Sequence, residues 1–216
     1  MAFPPCTLLF DIDGTLIDSA PGILRSIQYS LRKMGCPVPA AQALTCFIGP
    51  PLVDSYQRLC GMSEADAHRA TALYRERYHA KGVHEAAPYD GIPALLAELQ
   101  AAGFSLCVAT SKPEPLAKRF LALHGLDSYF SVICGAIGGV RTHKPEILAY
   151  LLPLLPEGGR GAAMIGDRRY DIEGAKRLGL RSIGVRYGFA DPGELEEAGA
   201  DWIVDTVAVL RALLLK

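Results

Sequence analysis

Thr7-Leu8-Leu9-Phe10-Asp11-Ile12-Asp13-Gly14-Thr15-Leu16 is the stretch whose reading decides the fold. Leu8-Leu9-Phe10 is a short apolar run of the kind that forms a fully buried strand, and it stops at two aspartates spaced two apart. Side chains alternate along a strand, so Asp11 and Asp13 at first sight share a face. Gly14 then lets the chain leave the strand sharply. Two like charges at the end of a buried strand are costly unless a cation or a proton separates them. An acidic turn after an edge strand would carry the same letters, so the rest of the chain has to decide.

Downstream, Asp18-Ser19-Ala20-Pro21 opens a helix, with Asp18 or Ser19 as cap and Pro21 in the first turn. Ile23, Ile27, Leu31 and Met34 recur at helical spacing until Gly35 and Pro37 end the run. A short helix is expected over 39–47, a turn at Ile48-Gly49-Pro50-Pro51-Leu52, helix again to Leu59, and a further helix from Ser63 with Tyr74 and Tyr78 on one face. The pattern changes near Tyr89-Asp90-Gly91. Helices are expected over 92–102, 112–124, 144–155, 171–178 and 207–215, and strands over 104–109, 132–134, 162–165, 181–185 and 202–204. Such alternation implies right-handed crossovers and a parallel sheet covered on both faces. The fold expected is therefore α/β: a Rossmann-like core of residues 1–17 and 84–216, with helices on both faces of the sheet and an α-helical cap domain inserted over 18–83. Ligands of such sheets bind beyond the carboxyl ends of the strands, where Asp11 and Asp13 fall.

Composition narrows the function classes. A chain of 216 residues, half of them apolar, has ample core material, and a net charge of -1 offers no electrostatic footprint for nucleic acid or an anionic membrane. No apolar run approaches the roughly 20 residues that cross a bilayer. Met1-Ala2-Phe3-Pro4-Pro5-Cys6 lacks the basic start of a signal peptide, which points to the cytoplasm. Cys6, Cys36, Cys46, Cys60, Cys107 and Cys134 contain no Cys-x-x-Cys pair and read mostly as small core residues. The five histidines show no metal-ligand spacing.

Three further segments fall at strand ends on the same edge. Thr110-Ser111-Lys112-Pro113 offers a hydroxyl and, read as a helix start, backbone N–H groups for a phosphate. Lys144-Pro145 opens a later helix, and Gly166-Asp167-Arg168-Arg169-Tyr170-Asp171 brings a second acidic pair where a strand meets a helix. Each has an ordinary reading as a cap, a surface lysine or a helix-dipole carboxylate. Their joint order along one edge does not.

Asp11-Ile12-Asp13-Gly14-Thr15, Thr110, Lys144-Pro145 and Gly166-Asp167-x-x-x-Asp171 together resemble the four motifs of the haloacid dehalogenase superfamily, across the whole core. The insertion after the first motif resembles the small helical cap of the phosphoglycolate-phosphatase-like branch. Mg²⁺ takes oxygen ligands, commonly one or two carboxylates plus substrate phosphate, and Asp11 and Asp167 are the expected carboxylates. The resemblance implies that Asp13 adds its backbone carbonyl and that Asp171 supports the site from behind. It also implies a phosphatase in which Asp11 attacks phosphorus, Asp13 serves as acid and base, and Thr110, Lys144 and the N–H groups near Ile12 and Ser111 hold the phosphoryl oxygens. For that role the Asp13 side chain must turn away from the metal, breaking the same-face expectation. The Ile48–Leu52 turn is the candidate cap loop, and Arg168 either touches substrate or is a surface arginine.

The expected substrate is a small phosphomonoester. Phosphoglycolate leads, with a 5′-nucleotide and then a sugar-phosphate mutase reaction as alternatives. Typical phosphoglycolate phosphatases read Thr-Asn-Lys where this chain has Thr110-Ser111-Lys112, and often Asp where it has Gly22, which loosens the phosphoglycolate reading. A phospho-receiver switch uses a similar residue set, but with another order along the chain and no cap. Gly135-Ala136-Ile137-Gly138-Gly139 lacks the Gly-x-Gly-x-x-Gly of a dinucleotide site, and nothing marks Lys33 or Lys81 as the cap lysine of a phosphonate hydrolase. No nucleic-acid or membrane partner is expected, and the sequence leaves the assembly between monomer and homodimer.

Overall fold

The computed structural model describes residues 7–215; Cys6 and the rest of the N-terminal hexapeptide lie outside them. In chain order the elements are β1 (Thr7–Phe10), β2 (Ile17–Asp18), α1 (Ala20–Lys33), α2 (Leu52–Cys60), α3 (Glu64–Ala80), β3 (Ala87–Pro88), α4 (Ile92–Ala101), β4 (Ser105–Pro113) and α5 (Glu114–Leu123). Then follow β5 (Val132–Ala136), α6 (Lys144–Leu151), β6 (Ala163–Gly166), α7 (Arg169–Arg177), β7 (Arg181–Val185), α8 (Glu194–Ala198), β8 (Trp202–Val204) and α9 (Val207–Leu214). The chain divides into two compact units, residues 1–17 with 88–216, and residues 18–87.

The first unit is α/β. Its six-stranded sheet runs β5-β4-β1-β6-β7-β8, with every neighbouring pair parallel. From β1 the chain eventually continues to β4 on one side, whereas from β6 it continues to β7 on the other. Loops leaving β1 and β6 thus diverge, and the crevice between diverging loops is where open α/β sheets hold ligands. Leu8, Leu9 and Phe10 are all fully buried, as an unbroken apolar run in a central parallel strand requires. Leu9 packs with Cys107, Cys134, Met164 and the α6 residues Ile147, Leu148 and Leu151.

The second unit, residues 18–87, holds α1, α2, α3 and two 3-10 segments, Ala41–Phe47 and Gly82–His84. Ser63 caps α3 by accepting a hydrogen bond from the Asp66 amide at 3.1 Å. Gly22 and Gly82 meet backbone to backbone: a Cβ on Gly22 would lie 2.1 Å from the Gly82 carbonyl oxygen. That contact keeps Gly82–His84 with α1, and the chain leaves the unit after Ala87 rather than at the 83/84 boundary suggested by the sequence pattern.

Several element ends differ from the sequence pattern. β4 does not stop at Ala109 but continues irregularly to Pro113, so α5 begins at Glu114 and Lys112 is not helical. α6 ends at Leu151, ahead of Pro153, and passes into a 3-10 turn over Leu152–Leu154. α8 is an element the sequence pattern did not announce. Among the described cysteines, Cys107 and Cys134 are core residues, whereas Cys36 and Cys46 are half-buried and Cys60 is exposed.

Candidate active site

β1 ends at Phe10, although the Asp11 amide still donates to the Ile165 carbonyl at 3.0 Å and so stays in register with β6. From Ile12 the chain turns. The Leu16 and Ile17 amides both donate to the Ile12 carbonyl, and Gly14 sits at φ 84°, a conformation that favours glycine. Asp13 therefore belongs to a turn, and strand alternation does not govern it. Its two carboxylate oxygens accept from the Lys112 ammonium at 2.9 and 2.8 Å.

Asp11, Asp167 and Asp171 converge instead. One oxygen of each lies within 4.8 Å of the others, and all three residues are buried. Asp167, just beyond β6, is held by both oxygens: the Thr15 hydroxyl donates to Oδ1 at 3.1 Å and the Phe189 amide to Oδ2 at 2.8 Å. Asp171, in the first turn of α7, accepts from the Arg168 amide at 3.1 Å. Lys144, at the start of α6, reaches the cluster with its ammonium 2.7 Å from Asp171 Oδ1 and 3.3 Å from Asp11 Oδ1. Its well-aligned hydrogen bond goes to the Ala109 carbonyl at 2.7 Å, so toward the acids it acts chiefly as a charge.

The electrostatics follow from this crowding. Burial, then Asp171 and Asp11, push the Asp167 carboxyl well above the usual carboxylate range. Burial also lifts Asp171 to about 6, although Lys144 works against it. For Lys144, burial alone would lower the pKa, but Asp11 and Asp171 outweigh it and hold the ammonium above the ordinary lysine value. Asp11 Oδ1 and Asp171 Oδ1 are buried without an aligned hydrogen bond. Three clustered carboxylates, two of them paired with the one Lys144 ammonium and with acceptor oxygens to spare, fit a hard divalent cation.

Thr110 is buried at the end of the regular part of β4, where its hydroxyl oxygen accepts from the Lys112 amide at 3.2 Å. Ser111 lies in the irregular continuation of β4, so its amide is not the helix N-terminus that the sequence suggested. Ile12 is fully buried. Arg168 is not a surface residue: its Nε donates to Glu194 at 2.9 Å, and the same carboxylate accepts from the Arg169 and Asp191 amides. The sequence reading missed the partners Lys112, Thr15, Phe189 and Glu194. Only Thr15 and Lys112 had a usable signal, Thr15 as the last letter of Asp11-Ile12-Asp13-Gly14-Thr15 and Lys112 within Thr110-Ser111-Lys112-Pro113.

The family model for haloacid dehalogenase-like hydrolases matches residues 8–185, the span that carries Asp11, Asp13, Thr110, Lys144, Asp167 and Asp171. The chain belongs to that family. A 5′-nucleotidase of Pseudomonas aeruginosa is 40% identical over 208 residues, covering 96% of this chain and 94% of that protein. The tyrosine-protein kinase PtkA of Mycobacterium tuberculosis is also 40% identical over 186 residues, 86% of this chain but 63% of that longer protein. A plasmid phosphoglycolate phosphatase of Cupriavidus necator is 33% identical over 216 residues, 97% of this chain and 94% of that one. Among solved structures, a predicted phosphatase from Clostridium acetobutylicum superposes with a TM-score of 0.92 at 41% identity, covering 98% of both chains. Family membership and the phosphatase relatives make this haloacid dehalogenase-like hydrolase a phosphatase. No helix among the described residues is long and apolar enough to cross a membrane.

Proposed function

We propose that the protein is a Mg²⁺-dependent phosphatase that hydrolyses a small phosphomonoester through a phosphorylated Asp11. The observation that carries this reading is the buried Asp11–Asp167–Asp171 cluster with its single lysine, at the diverging ends of β1 and β6. Mg²⁺ would be held by Asp11, Asp167 and the Asp13 backbone carbonyl, with Asp171 in support, and when bound it supplies charge screening between the nucleophile and the phosphate.

An Asp11 carboxylate oxygen attacks phosphorus as the bond to the leaving oxygen breaks, and Asp13 delivers a proton to that oxygen. Asp13 then takes a proton from water as the water oxygen bonds to phosphorus and the Asp11 acyl-phosphate bond breaks. Thr110, Lys144 and the amides of Ile12 and Ser111 hold the phosphoryl oxygens while their charge redistributes. Asp171 keeps Lys144 charged and in place.

For the substrate, 5′-nucleotides rank ahead of phosphoglycolate, because the nucleotidase relative is 40% identical against 33% for the phosphoglycolate phosphatase. The test is phosphate release with Mg²⁺ from 5′-nucleotides, phosphoglycolate, sugar phosphates and an aryl phosphate, beside Asp11→Asn. Asp11→Asn should release no phosphate from any of them, and wild-type rates in that variant would exclude the mechanism. A long-lived phosphoprotein with no phosphate release would indicate a switch instead.

A further inference from the structure

We propose that Lys112 is a positioning residue for Asp13, holding its carboxylate out of the acidic cluster and aimed for proton transfer. The inference rests on the phosphatase reading above and goes beyond it. The irregular continuation of β4 is what makes the contact. After Ala109 the register with β5 shifts, and the chain runs on to Pro113 before α5 begins. This carries Lys112 to the first-motif turn, where its ammonium meets both Asp13 oxygens at 2.8 and 2.9 Å.

The lysine is itself constrained. Its side chain is 5% exposed, its amide is tied to the Thr110 hydroxyl, and its ammonium lies 4.4 Å from the centre of the Phe120 ring on α5. Enclosing two charges in this way gives little net stability, since a buried ion pair can often be replaced by apolar groups at no loss. What the pair does fix is direction. Asp13 stands two residues from Asp11 and, loose in its turn, could join a cluster of three carboxylates that has one ammonium, Lys144, between Asp11 and Asp171. Lys112 gives it a different cation to face. In the reaction, Lys112 donates hydrogen bonds throughout and transfers no proton. The proton passes from Asp13 to the leaving oxygen as the phosphorus–oxygen bond breaks, and a second passes from water to Asp13 in hydrolysis.

The test compares wild type with Lys112→Met, Lys112→Gln and Lys112→Arg in the presence of Mg²⁺. Two substrates are used, an alkyl phosphate and p-nitrophenyl phosphate, whose leaving group departs without a proton. Lys112→Met should lower kcat on the alkyl phosphate about 100-fold, the scale of a general acid–base contribution, with KM nearly unchanged. On p-nitrophenyl phosphate it should release a first equivalent of p-nitrophenolate rapidly and then stall. Forming the phosphoprotein from that ester needs no acid, but hydrolysing it needs the aimed base. Lys112→Arg should recover most turnover, and Lys112→Gln should fall between, serving also if the Met variant folds poorly. An equal loss on both esters without a burst, a loss that only follows melting temperature, or full turnover in the Met and Gln variants would overturn the proposal. Full activity in Asp11→Asn would instead overturn the underlying mechanism, whatever Lys112 does.

Discussion

Asp167 shows how much of this site depends on small neighbours. A Cβ on Gly14 would lie 2.1 Å from Asp167 Oδ2, and one on Gly188 would lie 2.3 Å from both Asp167 Cβ and the Gly14 carbonyl oxygen. The obstruction at Gly188 includes backbone, which cannot rotate aside. Gly188→Ala should therefore cost on the order of 1–3 kcal/mol by overpacking, read as a lowered melting temperature with reduced metal affinity. A fully stable Gly188→Ala with native affinity would show that the Tyr187–Phe189 segment does not brace the cluster. Thr15→Val is the gentler probe, because it removes only the hydroxyl that donates to Asp167 Oδ1. Loss of such a supporting partner typically weakens metal binding about 10–100-fold, and a Mn²⁺ titration would measure it. The sequence offered Thr15 as a motif letter and offered Gly188 not at all. Steric need at Gly188 comes from two chain segments far away in sequence, and no local pattern records it.

At the level of elements, the departures from the sequence pattern are informative. β5 is an edge strand whose Gly135 backbone is bonded by side chains: the amide donates to Glu114 at 3.3 Å and the carbonyl accepts from Arg141 Nε at 3.0 Å. Arg141 also pairs with Glu114 at 2.5 Å and stacks on Tyr150, so long-range side chains fix the end of β5. Gly22 is the second case. Read as a departure from the phosphoglycolate-phosphatase pattern, it bore on substrate; in the structure it is a packing requirement against Gly82. Gly22→Asp should destabilise the helical unit by about 1–3 kcal/mol through that backbone collision. A melting temperature equal to wild type would show that the two backbones part easily. The continuation of β4 through Lys112 was unreadable for a related reason. Thr110-Ser111-Lys112-Pro113 resembles a helix approach locally, yet the chain stays extended and rejoins β5 where Pro113 pairs with Ala136.

For the molecule as a whole, the buried acids couple stability to protons and, on the proposed reading, to metal. Asp167 and Asp171 carry raised pKa values when folded, chiefly through burial, Asp171 reaching about 6 from 3.8. Groups raised in this way favour folding fully below the unfolded value and lose that contribution as pH rises through the folded value. The metal-free protein should therefore lose part of its stability between pH 3.8 and about 6 on account of Asp171, and Mg²⁺ should restore it once the acids are ionised. At about 100 times the dissociation constant, Mg²⁺ should raise the melting temperature by roughly 5–10 °C near neutral pH and far less near pH 4. Equal shifts at both pH values would count against a metal on these carboxylates. What the sequence determined by itself was whatever is written in local period and order: the buried first strand, the strand–helix alternation, the helical insertion, and the acids, hydroxyl and lysine at successive strand ends. Those features depend on neighbours within a few residues, so one chain suffices to display them. What the tertiary structure alone decided was partnership. Which cation Asp13 faces, what braces Asp167, and why Gly22 and Gly188 carry no side chain are set where segments distant in sequence meet, and such contacts leave no periodic trace.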